Sequence, residues 1–206
     1  MTVPQLLARL VVYGGLLALS FYLTLFYVGA ERASGSFFNE TPQNVLLAGL
    51  LLFSGLMARL RGAGAAAGLA LLIFFAACTF REFDNELDAL VFYGAWKIPA
   101  YVMAACLAYV LWKRWANLQA DLAALGNTLA FGVFLLGLLL LMVFSRMWGA
   151  NDLWRELMGE GFNRAVARVS EEGIELMAYT VLCLGVAELY LEARRQLRAA
   201  AGPRAR

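Results

Sequence analysis

Apolar residues run along this chain in six long blocks, approximately 5–29, 44–60, 63–80, 89–112, 122–145 and 172–191, with short polar segments between them. A helix needs roughly 20 mostly apolar residues to cross a hydrocarbon layer about 30 Å thick. Runs this long and unbroken are not barrel strands, and a backbone in lipid must satisfy its own hydrogen bonds. The pattern predicts an all-α fold, a polytopic transmembrane helical bundle of about six spans. It fills a single transmembrane helical domain over 1–193, followed by a basic tail over 194–206.

Two blocks are less regular. The second is the shortest. The fourth contains Lys97 and Pro99; because proline has no N–H to give, it reads as a kinked span with Lys97 facing inward. In the alternative, 89–98 is re-entrant and the span starts at Pro99, which leaves only about 14 apolar residues, few for a crossing. A different pattern covers 151–170. Trp154, Met158, Phe162, Ala165 and Val169 recur at helical spacing, opposed by Asp152, Arg155, Glu156, Glu160, Asn163 and Arg164. This predicts an amphipathic helix lying in the membrane interface.

Composition agrees with the pattern. Hydrophobic residues make up 62% and charged residues 16%, with a mean hydropathy of +0.69, which leaves no room for a sizeable soluble domain. The placement of charge orients the bundle. With the N-terminus inside, the inner segments hold Arg9, Arg59, Arg61, Lys113, Arg114, Arg194, Arg195, Arg198, Arg204 and Arg206 against Asp121, Glu188 and Glu192. The other side is acidic. Both termini are therefore expected in the cytoplasm and the acidic loops in the periplasm, as for a bacterial inner-membrane protein. Val28-Gly29-Ala30 has the small-residue look of a signal-peptide cleavage site, but the apolar run before it is long and its basic region thin.

The absence of histidine removes His-type zinc sites, His-ligated haem and imidazole proton relays. The intramembrane hydrolases that include the alkaline ceramidases are similar in size but depend on histidines, so that likeness is set aside. Cys78, Cys106 and Cys183 sit singly in three different blocks and read as small buried hydrophobes. Gly64-Ala65-Ala66-Ala67-Gly68 is a GxxxG stretch, and Ala104 with Ala108 forms a similar small stripe; both suit close helix packing. Asn39-Glu40-Thr41 matches a glycosylation sequon too common to carry weight.

Chemistry is concentrated at the outer ends. FREFDNELD (80–88), read as the last turns of the third helix, places Arg81, Asp84, Asn85 and Asp88 on one face, with Glu82 and Glu86 beside it. Arg81 is positioned to pair with Asp84. At the start of the last block, Glu171, Glu172 and Glu175 share a face, with Tyr179 one turn on and Arg168 in reach of the first two. Glu175 is the most demanding of these, since a charge between Ile174 and Leu176 needs a partner. Lys97 is the candidate for that role. The candidate ligand- or ion-binding residues are thus Arg81, Glu82, Asp84, Asp88, Lys97, Glu171, Glu172, Glu175 and Tyr179.

The stretches Phe80-Arg81-Glu82-x-Asp84, Phe92-x-Gly94-x-Trp96-Lys97 and Glu171-Glu172-x-x-Glu175-Leu176 resemble those of a family of bacterial multi-pass integral membrane proteins without an assigned activity. The resemblance implies that Arg81, Glu82, Asp84, Lys97, Glu172 and Glu175 belong to one site. Three functions remain in play. First is an outward site that binds or passes a cation, proton or small polar solute. Second is an accessory or assembly subunit, with the charges as a structural ion-pair network. A lipid-modifying enzyme with Glu82 and Glu175 as acid and base ranks last, for lack of a nucleophile. No cofactor is evident, and a divalent cation is compatible with the acids. The expected partners are the lipid bilayer and a membrane protein or second copy, not nucleic acid.

Overall fold

The computed structural model describes residues 3–34 and 40–201. The sequon residue Asn39 and the tail arginines Arg204 and Arg206 lie outside the described residues, as do the side chains of Val28 and Asn85. Every regular element among the described residues is helical. In order they are α1 (Val3–Ser34), α2 (Glu40–Ala58), α3 (Ala65–Glu82), α4 (Asp84–Leu90), α5 (Lys97–Lys113), α6 (Trp115–Leu125) and α7 (Leu129–Leu139). A π-helical turn (Leu140–Phe144) then leads into α8 (Ser145–Trp148), followed by α9 (Asn151–Met158) and α10 (Arg164–Ala200). Among the described residues, four helices are long and apolar enough to cross a membrane: Val3–Phe26 within α1, Ala65–Glu82, Leu129–Trp148 and Arg164–Ala200. Pro42–Ala58 is a shorter apolar helix. These helices mark a membrane-embedded protein.

Each apolar block contains a helix, but three boundaries differ from expectation. The fourth block is not one kinked span. A turn over 91–96 separates α4 from α5, with Gly94 at φ +85°, a left-handed conformation that suits glycine. Lys97 and Pro99 fall in the first turn of α5, where an N–H has no helical partner and proline costs nothing. At 17 residues α5 is about 26 Å long, short for the hydrocarbon layer. The fifth block moves toward the C-terminus because Gly126-Asn127-Thr128 interrupts it. There the Thr128 hydroxyl accepts the Phe131 N–H at 3.3 Å and starts α7. The amphipathic segment is halved. α9 ends at Met158, a 3-10 turn covers Gly159–Gly161, and Arg164 onward belongs to α10. Gly159, at φ +55°, is the breaking point.

The described residues pack as two compact units, those within 1–43 and 134–184 and those within 44–133 and 185–206. In the first unit the packing is close. A Cβ on Gly137 would come within 2.9 Å of the Leu182 backbone nitrogen, so α7 and α10 approach to a distance that only glycine permits. A Cβ on Gly173 would meet Thr24 at 3.1 Å, which brings α1 against α10.

In the second unit the GxxxG stretch performs the expected task. A Cβ on Gly68 would meet the Met57 carbonyl carbon at 2.7 Å, so α3 crosses the end of α2 at near-backbone contact. Leu47, Leu50 and Met57 of α2 and Phe75 of α3 are buried. The Ala104–Ala108 stripe of α5, by contrast, is exposed, and so is Cys106; Cys78 and Cys183 are half-buried. In a bilayer an exposed apolar helix face is a lipid contact, because lipid tails are as apolar as the side chains they meet.

Candidate functional site

The helix running from Leu129 to Trp148 changes gait near its C-terminal end. Leu140–Phe144 is a π-helical turn, and the buried Ser145 hydroxyl after it donates to the Leu141 carbonyl at 2.6 Å. A π turn inserts one residue and so rotates the rest of the helix by about 100° relative to an unbroken α-helix. The next residue is Arg146. Its two terminal nitrogens each hold a different carboxylate of α10: Nη1 donates to Glu171 Oε1 at 2.8 Å and Nη2 to Glu175 Oε1 at 3.1 Å.

The three charges form a gradient of exposure. The side chain of Arg146 is 47% exposed, that of Glu171 28% and that of Glu175 11%. Glu171 and Glu175 lie one turn apart on one helix face, where like charges repel unless a cation stands between them. The guanidinium fork does this with one nitrogen per carboxylate. Gly149 completes the wall, because a Cβ there would collide with the Glu171 carboxylate. Glu172 is half-buried beside the pair, Arg168 is exposed, and Tyr179 is buried one turn beyond Glu175. Beside this, Trp154 of α9 donates its indole N–H to the Trp148 carbonyl at 2.6 Å, which ties the short amphipathic helix to the end of α8.

The second unit holds the remaining sequence candidates. FREFDNELD does not continue α3. The helix stops at Glu82, Phe83 leaves helical geometry (φ −90°, ψ 27°), and α4 begins at Asp84. Arg81 is exposed at the end of α3, Glu82 and Asp84 are half-buried, and Glu86 is exposed. The expected Arg81–Asp84 pair is not among the described ion pairs. Asp88 has a clear task. Its Oδ1 accepts the Gly94 N–H at 2.8 Å and the Ala95 N–H at 3.1 Å, closing the turn between α4 and α5. Lys97 lies over that turn, its ammonium 6.0 Å from the Trp96 ring centre. It is exposed, so the expectation of an inward-facing lysine inside a span is corrected: at the first turn of α5 it sits at a helix end.

Two residues carry more than their place in the sequence suggests. Arg146 reads in the sequence as one more charge on the outer side. The signal that singles it out is its position, a lone cation just past the apolar run from Leu129 to Phe144. Asp121 reads as one of the few inner acids. In the structure it is 5% exposed and accepts three backbone N–H groups at the start of α3: Gly64 at 2.6 Å, Ala66 at 2.9 Å and Ala67 at 2.9 Å. It is a helix cap supplied by another helix, and nothing in local sequence announces it. Among the described residues, no group of three or more Cys, Asp or Glu side chains is placed to hold a metal ion. Compared with protein-family models, curated proteins and solved structures, the chain matches none.

Proposed function

We propose that this chain is a multi-pass membrane protein whose Arg146–Glu171–Glu175 cluster binds or passes a cation, a proton or a small polar solute. The observation that carries the reading is the shared guanidinium. Two carboxylates one turn apart share one arginine, and Glu175 is only 8% exposed. A proton on either acid, or an incoming cation, relieves their repulsion and loosens one of the two contacts that Arg146 makes. Intramembrane charges of this kind are expensive and are retained where they serve a pathway or a binding site. The basic inner segments support cytoplasmic termini and an outward-facing cluster, and six crossings count α2 and α5 as short spans. The same charge bias, with the outer acids in the periplasm, underlies assignment to a bacterial inner membrane.

The test is thermal unfolding of the detergent-purified protein against Na⁺, Ca²⁺, Mg²⁺, Mn²⁺ and EDTA at several pH values. A ligand at about 100 times its Kd adds roughly 2.7 kcal/mol of stability. A saturable shift that disappears in Glu175→Gln supports the site. A melt indifferent to every ion and to pH sinks it.

A second reading is an accessory or assembly subunit of a membrane complex. It is favoured by the direct pairing of Arg146 with both acids, a geometry that already satisfies a structural network. Under that reading, Glu175→Gln weakens the fold but leaves ion responses unchanged, and the protein co-purifies with a membrane partner.

A further inference from the structure

We propose that the C-terminal turns of α10 form a binding site for the phosphate group of an anionic phospholipid. α10 is 37 residues long, about 55 Å, and therefore extends well past a hydrocarbon layer of about 30 Å. Its final turns have two unlike faces. One is fixed to the protein: Ala193 is fully buried, and the Gln196 amide donates to the Ala124 carbonyl at 3.1 Å. The other carries Leu191, Arg194, Arg195 and Arg198, which line a cavity of about 220 Å³.

The lining matches the chemistry of a phospholipid from headgroup to tail. Guanidinium groups bind phosphate through paired N–H donors, and three of them fall within five residues. Arg194 is held in place before any ligand arrives. It lies over the Tyr190 ring at 5.4 Å and donates to the Tyr190 hydroxyl at 3.2 Å. Arg195 is braced by Glu192 at 2.5 Å. Arg198, one turn after Arg194, is exposed near the end of the helix. Leu191 precedes the arginines along α10, toward the apolar part of the helix, and is 47% exposed, where the glycerol and acyl carbons of a lipid would lie. A free phosphate would use the arginines and leave Leu191 without a partner, so the apolar wall favours the lipid. Basic pockets at helix ends are where anionic headgroups are recognised. Neither this site nor the Arg146 cluster depends on the other.

The experiment titrates phosphatidylglycerol into the purified full chain in neutral detergent, counts retained lipid by native mass spectrometry and follows the melting temperature. Phosphatidylcholine and inorganic phosphate are the parallel arms. Saturable retention of phosphatidylglycerol over phosphatidylcholine is expected. Each arginine near a charged surface contributes about fivefold, so Arg194→Gln with Arg198→Gln weakens it by roughly 25-fold. Arg198→Gln alone weakens it by about fivefold without touching the Tyr190 contact. Equal retention of the two lipids overturns the proposal, as does single-variant binding identical to the parent. A shift with inorganic phosphate equal to that with phosphatidylglycerol shows a free-anion site and overturns the lipid assignment.

Discussion

Two buried acids, one in each unit, solve the same electrostatic problem in opposite ways. Asp121 is 5% exposed and is satisfied by the backbone: three N–H groups of the α3 N-terminus converge on its two oxygens. Glu175 is 8% exposed and is met by a long side chain, the half-exposed Arg146. A backbone donor cannot leave without unwinding a helix. An arginine can swing aside by rotating about its own bonds. The difference separates an acid held by three backbone N–H groups from an acid met by a side chain, and for that reason the functional proposal rests on Glu175 rather than on Asp121.

The largest effect should come from the fixed acid. Asp121→Ala leaves three N–H groups at a buried helix end without an acceptor and is expected to cost about 3 kcal/mol or more, read as a large drop in the melting temperature. Asp121→Asn keeps one acceptor oxygen and should recover part of that. If Asp121→Ala melts like the parent, the two acids are not different in kind.

Next is the side-chain pair. Arg146→Met leaves two acids one turn apart with their shared guanidinium gone; allowing for its half-exposed side chain, about 1–2 kcal/mol is expected. Adding Glu175→Gln removes the deeper charge, and the double variant should be more stable than Arg146→Met alone. A double-mutant cycle showing additive losses would mean that the two side chains do not interact.

A smaller effect is expected at Gly149. The methyl of Gly149→Ala must displace the Glu171 carboxylate, the movable end of a side chain, so roughly 1 kcal/mol is expected, with Arg146–Glu171 weakened before Arg146–Glu175. Coupling energies measured for the two pairs in the Gly149→Ala background would show whether Glu175 keeps its partner when Glu171 is pushed away. The smallest effect belongs to FREFDNELD. Asp84→Asn with Glu86→Gln should change stability by no more than about 0.5 kcal/mol, since neither acid is fully buried. A loss larger than that of Arg146→Met would shift attention from the first unit to the second.

How far these distinctions are legible in the sequence depends on what sets them. The long apolar helices are legible because a bilayer demands continuous apolar length, which a linear chain displays directly. Glu175 stands out for the same reason, as a charge inside an apolar stretch. The break of the fourth block is not legible, because Gly94, Lys97 and Pro99 fit a kink as well as a helix start. The outcome turns on Asp88 reaching forward to the Gly94 and Ala95 amides, a contact formed only once the turn exists.

By itself, then, the sequence determined that this is a helical membrane protein, that its GxxxG stretch packs tightly, and that the start of the last helix carries acids needing partners. Only the tertiary structure decided which partners those are. Arg146 meets Glu171 and Glu175 across 25 and 29 residues of chain, and Asp121 meets Gly64 across 57. The physical reason is that hydropathy is a property of a residue and its neighbours along the chain. A hydrogen bond between helices depends on where a π turn, a glycine contact or a helix end places two distant atoms.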